Sequence, residues 1–107
     1  MTVNRKKMLC LLSVLPLLGF ISACSKKPDV GEEIVNTACV VCHAQSINGA
    51  PIIGNKKMWS KRLPQGEAVL IEHAVNGYEL MPAKGGRSDL SDEDVAAAVR
   101  YMMSQDK

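Results

Sequence analysis

Two thiols and an imidazole lie within five residues, Cys39-Val40-Val41-Cys42-His43. Cysteines three positions apart sit on one turn of helix, so both sulfurs can add to the two vinyl groups of one porphyrin. The adjoining imidazole can reach the iron as an axial ligand. The pattern is that of covalent attachment of one c-type haem. Other chemistries use the same residue types. A redox dithiol needs a strand before the motif, and no alternating pattern precedes Cys39. A zinc site with His73, the only other histidine, would ask the adjacent Cys42 and His43 to share one tetrahedron. A Cys39–Cys42 disulfide closes a ring too short to add much stability. The haem reading in turn requires a second iron ligand, a scaffold and an export route.

Met81-Pro82 supplies the second ligand. A thioether suits haem iron and, paired with histidine, raises the reduction potential. A loop position beside proline fixes the approach without a helical register constraint. Met58, Met102 and Met103 are read as core fillers or surface residues, and His73 is the rival ligand.

The export route is written in the first residues. Arg5, Lys6 and Lys7 precede an apolar run from Met8 to Ile21, and Ile21-Ser22-Ala23 leads to Cys24. The run is short for a membrane span, which needs roughly 20 apolar residues. The segment resembles a bacterial lipoprotein signal, with Ile21 where leucine is usual. The resemblance implies removal of residues 1–23, with Cys10 among them, and lipidation of Cys24. Residues 24–30 become a tether and residues 31–107 a single small domain. With Ser25 after the cysteine, the same resemblance implies the outer membrane of a two-membrane bacterium, with the domain on the periplasmic side.

Ten Lys or Arg and eleven Asp or Glu lie beyond the signal, so the apparent positive charge of the whole chain belongs to its first residues. Nothing in this balance suggests nucleic-acid binding. Lys56, Lys57, Lys61 and Arg62 form a basic run, read as a solvated face. Only Trp59, Tyr78 and Tyr101 supply aromatic bulk after the signal, and a domain this small has a limited core. A buried macrocycle would make up the difference.

The patterning predicts an all-α scaffold. Helices are expected over Gly31–Ala38, Met58–Leu63 (stopped before Pro64), Glu67–Asn76 (ended by Gly77) and from Ser91-Asp92-Glu93-Asp94 onward. In the last, Ser91 caps and Asp94 completes a capping box. Ala44–Lys57 and Gly77–Asp89, rich in Gly, Pro and Asn, are expected to be long loops that wrap around something.

These motifs, in this order and spacing, resemble the class I monohaem cytochromes c, and among them the small bacterial c-five type. The likeness runs from about Gly31 to Met103. It is carried by Cys39–His43, Gly49-Ala50-Pro51, Gly54, Trp59, Gly77, Met81-Pro82-Ala83-Lys84-Gly85-Gly86 and Leu90-Ser91-Asp92-Glu93, leading into Val99-Arg100-Tyr101-Met102. Some members carry an extra cysteine pair after the Gly-Gly; here Arg87-Ser88-Asp89-Leu90 occupies that stretch. The resemblance implies thioethers from Cys39 and Cys42, His43 as proximal and Met81 as distal ligand, and the Pro51 carbonyl receiving the other imidazole N–H. It implies Trp59 packing on the haem and donating to a propionate, and a close crossing of first and last helices at Gly31 and Tyr101. The function implied is a membrane-tethered periplasmic electron carrier, not an enzyme, that exchanges electrons with redox protein donors and acceptors. The alternative is a haem sensor or peroxidase-like protein with a labile distal Met81.

Overall fold

The computed structural model describes residues 29–106. The signal segment 1–23, Cys24 and the tether as far as Pro28 lie outside the described residues. The described chain is helical and contains no strand, as the patterning predicts.

Helix α1 (Val30–Ile34) starts at Asp29, whose carboxylate accepts from the Gly31 N–H at 2.8 Å. Glu32 and Glu33 place negative charge in its first turn, where the helix dipole favours it. The helix does not stop where the sequence suggests, at Ala38. It continues as a π-helical stretch over Val35–Cys39, with the Val40 N–H bonded to the Val35 carbonyl, and then as α2 (Val40–His43). A π turn takes in one residue more than an α turn and so rotates the next turn about the helix axis. One continuous helix thereby serves two purposes. Val35, only 1% exposed, packs in the core, while Cys39, Cys42 and His43 line a cavity.

Helix α5 (Asp92–Ser104) begins with the expected capping box. Ser91 Oγ accepts from the Asp94 N–H, and Asp94 Oδ2 accepts from the Ser91 N–H, both at 3.1 Å. Its buried residues Val95, Ala98 and Met102 recur at helical spacing. With Ile34, Val35 and Trp59, residues Ala98 and Met102 form the small core.

Helices α1 and α5 cross at Gly31, as the resemblance implies. A Cβ there would fall on the Ala97 carbonyl oxygen, 2.8 Å from its carbon and 3.1 Å from Tyr101 Cβ. Tyr101 closes the crossing by donating its hydroxyl hydrogen to Glu32 Oε1 at 3.1 Å. Helix α4 (Glu67–Asn76) has the predicted bounds and packs along α5. Gly77, at φ 89, ends it in a conformation that suits glycine.

The region between differs from expectation. Helix α3 is Lys56–Trp59 and starts before Met58, because Asn55 caps it by accepting from the Met58 N–H at 3.1 Å. Pro64 does not terminate a helix. It lies inside a 3-10 turn, Leu63–Gln65, near the start, where its missing N–H leaves no bond unmade. Apart from the start of α3, the two predicted loops carry only short 3-10 turns, Ile47–Gly49 and Ala83–Gly86.

The crossing yields a test. Gly31→Ala should destabilise the protein by about 1–3 kcal/mol, the usual range for overpacking against an unyielding neighbour. The measurement is guanidinium unfolding of the holoprotein; an unchanged midpoint would mean that the helices can move apart freely.

Candidate functional site

The two loops and the helices enclose a cavity of about 360 Å³. Residues from the α1–α2 helix, both loops, α4 and α5 line it. Cys39, Cys42, His43, Pro51, Trp59 and Met81 are all among them. Sequence reasoning singled out these six as haem-site residues, and the fold brings them to one space.

The His43 ring is buried, and its Nδ1 lies 2.9 Å from the Pro51 carbonyl oxygen. A carbonyl can only accept, so Nδ1 carries the proton and donates. In the neutral ring the lone pair then falls on Nε2, where a metal ligand needs it. The next loop residues are tied to the same helix, because the Ile53 N–H donates to the His43 carbonyl at 3.1 Å. The first loop is thus pinned to the motif at the residue whose orientation matters.

Met81 enters from the second loop. Its N–H donates to the Tyr78 carbonyl, and the Tyr78 N–H donates back to the Met81 carbonyl, each at 2.9 Å. A two-residue turn, Glu79-Leu80, joins them, with Glu79 held at φ 52. Gly77 makes room for this return: a Cβ on it would sit 3.0 Å from the Ala83 nitrogen and 3.1 Å from the Met81 carbonyl oxygen. His73 also lines the cavity, but its ring is stacked on Tyr78, with centroids 3.9 Å apart.

Three cations face the cavity. Lys84 pairs with Asp92 at 2.7 Å and Arg87 with Asp89 at 2.8 Å. Hydrogen bonds from Arg87 hold the Asp89 carboxyl down at about 2. Arg62 donates to the Met58 carbonyl at 2.6 Å and has no carboxylate partner among the described residues. Burial pushes the Cys39 thiol above its ordinary value, while the Arg87 guanidinium pulls the other way.

Comparison with known proteins decides the family. A family model described as cytochrome C oxidase, cbb3-type, subunit III matches residues 26–102. Cytochrome c-555 of Prosthecochloris aestuarii is 45% identical over 83 residues, covering 70% of this chain and 84% of that protein. The chain belongs to the class I monohaem cytochrome c family. Cytochrome c5 of Azotobacter vinelandii is 31% identical over 74 residues, covering 67% of this cytochrome and 89% of that one. A chain from a crystal structure of an electron transfer complex of nitrite reductase with cytochrome c superposes with TM-score 0.70 at 37% identity, covering 76% of this cytochrome and 98% of that chain. The cytochrome carries one covalently attached haem c and is an electron carrier rather than an enzyme.

The residues fit that group. Cys39 and Cys42 are both free thiols, one helical turn apart on a wall of the cavity. An imidazole with a free Nε2 and a thioether share the same space, and the remaining lining is largely aliphatic. A zinc site does not fit: among the described residues no three of His, Cys, Asp or Glu gather as a metal-binding cluster.

Two assignments change. The Trp59 indole N–H donates to the Ile52 carbonyl at 2.8 Å, so Trp59 packs against the cavity with its polar hydrogen already used, not aimed at a propionate. Arg62, read from sequence as part of a solvated basic face, is half-buried and lines the cavity.

The return of the Met81 segment over Gly77 is testable. Gly77→Ala adds a side chain at φ 89 and crowds the Met81 backbone. It should cost about 1–3 kcal/mol of stability. Hydrogen exchange at the Met81 amide should quicken by about tenfold or more as that local bond opens. Exchange at wild-type rates would separate Gly77 from the Met81 turn.

Proposed function

We propose that this cytochrome is a membrane-tethered periplasmic electron carrier whose haem iron is held between His43 and Met81. The observation that carries the ligand assignment is the joint presence, in one cavity, of an imidazole with Nδ1 committed to Pro51 and a thioether fixed by the Tyr78 backbone pair. When bound, the haem supplies one-electron chemistry at its iron.

The chain does the rest. Cys39 and Cys42 are the residues that would hold the macrocycle, through two thioether bonds. The Pro51 carbonyl orients the His43 ring and strengthens it as a donor. Arg62 is the cation left to meet the group's carboxylates, because Lys84 and Arg87 are already paired. With an imidazole and a thioether both engaged, no position remains for a substrate, which suits a carrier. The aliphatic walls disfavour extra charge on the oxidised state, and the thioether favours the reduced one, so the potential is positive.

Electrons leave through an apolar rim. Val41, Ile47, Tyr78 and Leu80 line the cavity and are exposed, Leu80 at 68%. Apolar side chains around an opening suit brief docking to another redox protein. The relative captured in an electron transfer complex with nitrite reductase supports a protein partner of that general kind.

The tether is part of the same reading. Residues 1–23 act as the signal, Cys24 is lipidated and residues 31–107 form the haem domain. Only five residues, Ser25 to Asp29, join the lipid anchor to α1. Fully extended they span at most about 18 Å, so the domain stays near the membrane and meets partners by lateral diffusion. Lys26 and Lys27 add attraction to anionic head groups.

Each part has its own test. Met81→Ala should abolish the methionine–iron absorption band and lower the potential, while His73→Ala leaves both unchanged. The reverse pattern would give the ligand role to His73. For the anchor, Cys24→Ser in an export-competent chain should move the protein to the soluble periplasmic fraction. The native protein, extracted in detergent, should carry the mass of diacylglycerol as well as haem. A native protein already soluble, with no lipid mass, would remove the tether and leave the electron carrier.

A further inference from the structure

Three residues past Met81 the backbone turns left-handed and stays so. Lys84, Gly85 and Gly86 have φ values of 55, 63 and 81. Glycine takes this conformation freely, whereas a residue with a Cβ is strained in it. Position 84 is therefore one where the local backbone calls for glycine and the chain supplies lysine.

The side chain gives the reason. Lys84 Nζ donates to the Leu90 carbonyl at 2.8 Å and pairs with Asp92 Oδ1 at 2.7 Å. The lysine side chain is mostly covered, at 23% exposed. Its two partners straddle Ser91, the N-cap of α5, whose position is fixed by the reciprocal bonds with Asp94. Helix α5 is in turn locked to α1 at Gly31. Lys84 thus fastens the far end of the Met81 loop to a rigid part of the scaffold. The near end is held separately, by the paired backbone bonds between Tyr78 and Met81.

We infer that Lys84 is a positioning residue: by bonding the Leu90 carbonyl and Asp92, it clamps shut the loop that carries Met81 and protects the methionine–iron bond from displacement by outside ligands. The inference rests on the reading of Met81 as the distal ligand. A small base can take the place of Met81 only if the loop swings away from the cavity. Opening at residues 82–90 requires the ammonium to leave both partners, one of them charged.

The left-handed backbone makes a discriminating variant possible. Lys84→Gly relieves the strain and removes the clamp. If the lysine were merely a solvated charge, the glycine variant would hold the loop at least as firmly as the wild type. If the clamp acts, the glycine variant loosens it. The probe is imidazole, titrated into the ferric holoprotein and tracked by loss of the methionine–iron band. Lys84→Gly should keep that band without imidazole yet bind imidazole about tenfold more tightly, the scale of a lost charge-assisted hydrogen bond. Asp92→Asn, which keeps an acceptor but removes the charge, should shift affinity in the same direction by less. Arg100→Gln, which breaks the exposed pair with Glu67 away from this loop, should leave it unchanged. Wild-type or weaker imidazole binding by Lys84→Gly overturns the clamp, while loss of the band in Met81→Ala would still uphold the ligand. If Met81→Ala keeps the band, the ligand reading fails and the clamp falls with it.

Discussion

Gly31 lies against the Ala97 carbonyl so closely that no side chain could replace its hydrogen without moving a helix. That approach sets the distance between α1 and α5, and the remaining parts of the molecule hang from the pair. The α1 end runs on into the Cys-x-x-Cys-His turn. The α5 start is where Lys84, and with it the second loop, is fastened. A chain with few aromatic residues and a core of five buried side chains has little apolar surface with which to specify such an arrangement. A backbone-to-backbone contact needs almost none.

From this frame the cavity is built asymmetrically. One wall is continuous helix, and the π-helical stretch lets that helix bury Val35 while turning the two cysteines and His43 toward the cavity. The facing residue, Met81, comes from irregular backbone. Its placement depends on the Tyr78 backbone pair, a glycine with no room for a Cβ, and a strained Glu79. Rigid geometry thus serves the residues that bond covalently, and a fastened loop serves the thioether. With His43 and Met81 as the proposed ligands, this division suits electron transfer, in which ligands must move little between oxidation states.

The charges are arranged just as sparingly. Cations around the cavity are paired locally, Lys84 with Asp92 and Arg87 with Asp89. Only Arg62 faces the space without a carboxylate among the described residues. Local pairing limits the field that the haem site experiences, and the exposed rim of Val41, Ile47, Tyr78 and Leu80 is apolar.

Several features were legible in the residues alone because their causes are local. The Cys39–His43 motif, the span Glu67–Asn76 with its closing Gly77, and the Ser91–Asp94 capping box each depend on neighbours within a turn or two. So did the all-α class, since no stretch alternates as a strand would. The features that needed the fold depend on partners distant in sequence or on backbone phase. The hydrophobic pattern could not reveal a π turn, because one extra residue changes the facing of a helix without changing its composition. Trp59 was readable as a cavity residue, but the carbonyl that takes its N–H was not. Pro64 looked like a helix stop until the turn around it was seen. Lys84 stood in the Met81–Gly86 run with no role of its own, and Arg62 looked like part of a solvated run. A side chain's type limits what it can bond, but only the tertiary structure decides which partners come within about 3 Å, and that decision made Lys84 a clamp and left Arg62 facing the cavity.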